Sequence, residues 1–205
     1  MEQINVILDF FNHQFPDAKC ELNYNSPYQL LVAVILSAQC TDKRVNMVTN
    51  NLFKLAPTPE KMLKLGEPKL KTLIHSCGFY NNKSKSIISA TNDIVNKFNG
   101  KVPDNMEDLC SLAGVGRKTA NVVLAEAFGK PSIAVDTHVH RISKRLGLTT
   151  SNSTPEKCEQ DLLKLVPVDK QSKFHIQAVW FGRYFCHSLR PQCDNCKLKN
   201  ICKRK

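Results

Sequence analysis

The sequence predicts an all-α protein on three observations: apolar residues recur at helical spacing, no segment alternates convincingly as a strand, and helix punctuation falls where that spacing begins and ends. Ile4, Ile7, Leu8 and Phe11 trace one helical stripe near the start. Ile87, Thr91, Ile94, Val95 and Phe98 trace another, which stops at Asn99-Gly100, residue types that tolerate the left-handed conformation closing many helices. Asp104 to Glu107 has capping-box spacing, and Thr154-Pro155 places an N-cap before a proline in the first helical turn. About ten helices joined by short Pro, Gly and Asn turns account for the chain. It carries no internal repeat, low-complexity tract or long linker.

One turn departs from ordinary punctuation. In Leu112-Ala113-Gly114-Val115-Gly116-Arg117-Lys118-Thr119-Ala120, two glycines one residue apart separate a helix ending near Leu112 from one running through Asn121, Val122, Leu124, Ala125 and Phe128. Lacking Cβ atoms, Gly114 and Gly116 permit unusual dihedrals and close approach of a ligand, and the following helix offers free N–H groups and a positive dipole end. Such a hairpin can hold a phosphate; an ordinary helix–helix turn is the alternative reading of a lone Gly-x-Gly.

Four of the nine cysteines crowd the end of the chain as Cys186, Cys193, Cys196 and Cys202, just before the basic end Lys203-Arg204-Lys205. Four thiolates can close a site around zinc or an iron–sulfur cluster, and both use short Cys-x2-Cys steps. Spacing therefore indicates a metal and leaves its identity open. Cys20, Cys40, Cys77, Cys110 and Cys158 are scattered, mostly beside apolar residues, and read as small core hydrophobes. An odd number of thiols without an export signal fits a reducing cytoplasm.

The chain's 205 residues, 42% hydrophobic, suffice for a sizeable core. A net charge of +11 makes polyanions the leading partner class. The longest apolar run, Leu30 to Leu36, falls far short of the ~20 residues that span a bilayer, so no membrane is implied.

Together, the hairpin and the cysteine run resemble the endonuclease III branch of the helix-hairpin-helix DNA glycosylases. The matching stretches are Gly114 to Ala120, Val135-Asp136-Thr137-His138-Val139 and Cys186 to Cys202, with Leu36 to Asp42, Gly78-Phe79-Tyr80-Asn81 and Phe181-Gly182-Arg183 in order along nearly the whole chain. The resemblance implies a six-helix barrel domain carrying the hairpin, residues 22–132, and a helical [4Fe-4S] cluster domain formed by residues 1–21 and 133–205. A cleft would lie between them with Lys118 and Asp136 on opposite walls. It further implies a monomer, cytoplasmic and nucleoid-associated in a bacterium, whose partner is double-stranded DNA containing oxidised pyrimidines such as thymine glycol, or abasic sites.

The implied chemistry is base excision followed by a nick 3′ to the abasic sugar. Lys118 corresponds to the nucleophile: an amine can displace the base at C1′, form a Schiff base and acidify the C2′ proton for β-elimination. A free lysine is almost wholly protonated near neutrality, so this role calls for a depressed pKa, which the helix N-terminus and adjacent Arg117 would favour. Asp136 corresponds to a carboxylate that stabilises positive charge on the sugar, and it also reads as the N-cap of a helix beginning near Thr137.

Extruding a base from a duplex leaves a gap to fill, and Gln39 and Phe79 are the inserting side chains by resemblance. Gly114, Val115, Gly116 and Arg117 would hold DNA at the hairpin, with His138 in support. Arg190, Lys197 and Lys199, between the cluster ligands, would meet phosphates. The family's cluster is mainly structural, which shifts the metal reading from zinc to [4Fe-4S]. Where the family usually has proline in the hairpin, this chain has Ala113, which loosens the pre-set turn.

Two rivals remain at this level. A monofunctional relative such as the adenine mismatch glycosylase lacks the lysine and needs a carboxylate in the helix before the Gln-containing turn, but Val32-Ala33-Val34-Ile35-Leu36 is wholly apolar. A DNA-binding module without catalysis would use the hairpin on phosphates and a structural zinc.

Overall fold

The computed structural model describes residues 2–204; Lys205, the last residue of the basic end, lies outside them. Among the described residues there are ten α-helices and no strand, in two compact units, Glu21–Phe128 and Met1–Cys20 with Gly129–Lys205. No helix among them is long and apolar enough to cross a membrane.

The Glu21–Phe128 unit contains α2 (Pro27–Ser37), α3 (Asp42–Leu55), α4 (Pro59–Ile74), α5 (Tyr80–Lys97), α6 (Met106–Ser111) and α7 (Arg117–Phe128). Every residue of α2 from Tyr28 to Leu36 is buried, as expected of a helix that is apolar all round, and α3, α5 and α7 pack against it. Gly66, at φ 75° and ψ 161°, breaks α4 just before Pro68. On α5 the predicted stripe faces inward at Ile87, Thr91 and Ile94. The helix ends where Asn99 and Gly100 turn left-handed and Gly100 N donates to Ile94 O at 2.9 Å.

The predicted start of α6 is displaced by one residue. Asn105, rather than Asp104, caps the helix: its Oδ1 accepts from Asp108 N at 2.9 Å and its Nδ2 donates to the Asp108 carboxylate at 2.7 Å. An amide both accepts and donates, so Asn105 makes two bonds to Asp108, the second to its carboxylate, in place of the capping box anticipated for Asp104 and Glu107.

The other unit holds α1 (Glu2–Gln14), α8 (Thr137–Arg145), α9 (Pro155–Leu165) and α10 (Gln171–Trp180), followed by a π-helical turn, Phe181–Phe185. Ile4, Ile7, Leu8 and Phe11 all enter its core. Phe11 lies 5.7 Å from Phe174 and 5.3 Å from Phe181 between ring centroids, within the range of favourable aromatic pairs. Thr154 caps α9 as predicted, its hydroxyl accepting from Lys157 N at 3.2 Å.

Of the five scattered cysteines, Cys77 and Cys158 are buried, Cys20 and Cys40 are half-buried, and Cys110 is exposed. Cys110 is therefore not a core residue. Its apolar neighbour Leu109 takes the inward face of the short α6, and the Cys110 thiol contacts Met106 Sδ at 3.6 Å instead.

Candidate functional site

In the Glu21–Phe128 unit, the chain leaves α6 at Leu112, turns through Gly114 and Gly116, and enters α7 at Arg117. Val115 anchors the turn, being buried with its N–H bonded to Leu112 O at 3.1 Å. The two glycines differ in their reasons for being glycine. Gly114 has φ +78°, and a Cβ there would lie 2.7 Å from Ser86 Cβ on α5. Gly116 is not left-handed, and a Cβ on it would meet nothing within 4 Å. Its face is open, as a ligand-contacting position needs.

Gly114→Ala combines a left-handed alanine with an overpacked contact and is expected to cost about 2–4 kcal/mol, whereas Gly116→Ala should cost under about 1 kcal/mol. Urea denaturation of both variants checks the difference; equal midpoints would show that the turn does not depend on Gly114.

Gly116 O accepts the first helical bond of α7, from Ala120 N at 2.9 Å. Arg117 and Lys118 are thus the first two helical residues, and both are exposed. Lys118 stands in the first turn, as predicted.

Gln39 and Phe79 occupy two further turns of this unit, and both are left-handed, at φ 53° and 58°. Such a backbone is uncommon for residues other than glycine and stores strain. Both side chains are exposed, Phe79 by 63%, so a large aromatic ring is held out of the core on a strained backbone. The turns are neighbours: a Cβ on Gly78 would lie 3.8 Å from Gln39 O.

In the other unit, Asp136 caps α8 as predicted. Its Oδ1 accepts from His138 N at 2.9 Å and from Val139 N at 2.8 Å. His138 is half-buried; burial lowers its pKa, with Asp136 opposing and Arg141 and Arg183 reinforcing the shift. Gly182, in the π-helical turn, packs so tightly on α8 that a Cβ there would sit 2.8 Å from His138 Cβ.

The structure brings the four terminal cysteines together. Cys186, Cys193, Cys196 and Cys202 line one cavity of about 100 Å³ with Ile142, Leu146, Phe181 and Phe185. The Cys196 thiol is pushed up by burial first and also by the charges of the other three sulfurs. Among the described residues, no three His, Cys, Asp or Glu side chains converge tightly enough to hold a single metal ion. Arg190 and Lys197 are exposed, and Lys199 is also exposed, 3.5 Å from the Asp194 carboxylate.

Sequence reasoning missed two arginines that organise this loop. Arg141 Nη2 donates to the carbonyls of Gly182 and Cys186 at 2.9 and 3.1 Å. Arg145 Nη1 donates to Cys186 Sγ at 3.2 Å and to His187 O at 2.7 Å, while its Nη2 reaches Ser188 O at 2.8 Å. Their i, i+4 spacing on α8 puts both guanidinium groups on one face, and that spacing is the one signal that could have identified them.

Residues 32–168 match the family model described as HhH-GPD superfamily base excision DNA repair protein. Endonuclease III of Haemophilus influenzae is 46% identical over 97% of this chain and 94% of its own length. The Bacillus subtilis endonuclease III is 44% identical over 99% and 93%. Among solved structures, a trapped endonuclease III–DNA covalent intermediate with an estranged adenine superposes with a TM-score of 0.95 at 44% identity, covering 98% of this chain and 95% of the other. A thermostable thymine-DNA glycosylase shares the fold with a TM-score of 0.90 at 22% identity, over 98% and 96%. These matches show that the chain belongs to the endonuclease III family of DNA glycosylases and abasic-site lyases, within the HhH-GPD superfamily of base excision DNA repair proteins.

Proposed function

We propose that this chain excises oxidised pyrimidines from duplex DNA and cleaves 3′ to the resulting abasic site, with Lys118 as nucleophile and Asp136 as the electrostatic partner of the reacting sugar. The observation that carries this reading is the exposed amine of Lys118 in the first turn of α7, directly after the open glycine of the hairpin.

The Lys118 amine attacks C1′, and the base departs with the glycosidic electron pair. The attached nitrogen then opens the sugar ring: its lone pair forms the C=N bond as C1′–O4′ breaks and O4′ takes up a proton. The resulting iminium acidifies the C2′ proton, whose loss expels the 3′ phosphate by β-elimination. Asp136, fixed by two backbone N–H bonds, offers charge where the sugar becomes positive. The relative captured with DNA retained an estranged adenine. Adenine is the base left opposite an extruded thymine derivative, which supports an oxidised pyrimidine as substrate.

Gln39 and Phe79 are the side chains that enter the duplex. Val115 fixes the turn in which Gly114, Gly116 and Arg117 receive a phosphate, and Arg190 adds backbone contact, with His138 in support. The protein acts as a monomer in the cytoplasm, at the nucleoid of a bacterium.

Cys186, Cys193, Cys196 and Cys202 are suited to hold a [4Fe-4S] cluster. A single zinc ion would draw its thiolates into one tight tetrahedron at Zn–S of about 2.3 Å; a cubane spaces them more widely and uses an all-sulfur donor set. These four residues would hold the cluster, which would link the loop to the unit's aromatic core beside the loop's exposed basic side chains. Cys196→Ser is expected to lose iron and lower stability by several kcal/mol, read from iron content and thermal melting of purified protein. Unchanged iron would refute ligation by Cys196.

Borohydride reduction on DNA containing an abasic site tests the central reading, because it converts a Schiff base into a stable amine. A covalent protein–DNA adduct is expected from the unaltered chain, and its absence would overturn the lyase mechanism.

A further inference from the structure

Lys83 is the buried cation that this chemistry leaves unused. It is only 6% exposed, a rare position for lysine. Its Nζ donates to Leu36 O at 2.8 Å, near the C-terminal end of α2, where the chain enters the turn holding Gln39. Carbonyls in the last turn of a helix lack partners within it, and a cation there also complements the helix dipole.

Through its backbone, Lys83 belongs to the other turn: its N–H donates to Phe79 O at 3.0 Å, the first helical bond of α5. The thiols of Cys40 and Cys77 interact with each other and with the Lys83 ammonium. Cys40 follows Gln39 directly, and Cys77 stands two residues before Phe79. The buried bond from Lys83 to Leu36 O, together with the Lys83 backbone bond to Phe79 O, therefore ties together the two turns that expose the strained side chains.

We propose that Lys83 is a positioning residue that caps α2 from the helix Phe79 begins, thereby holding the Gln39 and Phe79 turns in register to enter the duplex together. The inference rests on the reading that those two side chains enter DNA.

The test uses the full chain, with its metal centre as purified, on two substrates: a thymine glycol duplex and a single-stranded oligonucleotide with an abasic site, which has no partner base to displace. The ratio of the two cleavage rates is independent of the fraction of protein folded. Lys83→Met, similar in length but without a donor, is expected to lower that ratio about tenfold, the size of one lost charged hydrogen bond in a buried site. It should also suppress the fluorescence change of 2-aminopurine placed opposite the lesion. Lys83→Arg, which keeps a donor, should recover most of both signals.

Lys85→Met removes an equal charge from the exposed side of α5 and should leave the ratio unchanged. An unaltered ratio and fluorescence signal in Lys83→Met, or an equal loss in Lys85→Met, would overturn the inference. If Gln39→Ala and Phe79→Ala lower the ratio while Lys83→Met does not, the inference alone fails. If neither alanine variant lowers it, the insertion reading fails and takes the inference with it.

Discussion

Lys118→Gln will give no borohydride-trapped adduct and will lower strand cleavage at an abasic site by roughly 10³-fold or more, the scale seen when a covalent nucleophile is removed. Glutamine keeps a polar side chain of comparable reach but has no amine that can form an imine. The substitution lies on an exposed position in the first turn of α7, where neither core packing nor the Val115 anchor is disturbed, so thermal stability should change by less than about 0.5 kcal/mol. Binding to abasic-site DNA should weaken by no more than about tenfold, as expected for one lost phosphate-range charge. These readings separate a missing nucleophile from a misfolded protein. Full adduct yield from Lys118→Gln would mean that another amine forms the Schiff base.

Much of this site was legible because local chemistry writes it. The positive φ of Gly114 favours glycine on local grounds, and aspartate before Thr137 caps a helix by its own short carboxylate. Thr154 before Pro155 is equally local. Helix burial was legible for the same reason, since Ile4, Ile7, Leu8 and Phe11 share one face by spacing alone.

What escaped was set by packing between segments far apart in sequence. The Lys83 bond to Leu36 O spans 47 residues, and Arg145 reaches Cys186 across 41; neither partner leaves a mark near the other. Gly116 and Gly114 look alike in the chain, yet only Gly114 faces Ser86. The α6 cap moved because an asparagine beside the predicted aspartate could make two bonds where a carboxylate only accepts. Cys110 was misread because its neighbour Leu109 fills the inward face of a six-residue helix.

Asp136 raises the sharpest question of role, because one oxygen already performs a structural task. Oδ1 holds the N–H groups of both His138 and Val139, which would suffice to explain an aspartate at that position. Two substitutions divide cap from charge. Asparagine caps helices about as well as aspartate, so Asp136→Asn should keep the stability within a few tenths of a kcal/mol. It removes the negative charge proposed to face the developing sugar cation, and on that reading base excision should fall about 10²- to 10³-fold, the usual loss of one preorganised electrostatic partner. Asp136→Ala loses cap and charge together, adding about 1 kcal/mol of destabilisation to a similar kinetic loss. Single-turnover excision rates and denaturation midpoints, measured side by side, decide between the roles. If Asp136→Asn excises bases at the unaltered rate while Asp136→Ala is merely less stable, the carboxylate is a helix cap and the charge that supports the sugar must come from elsewhere.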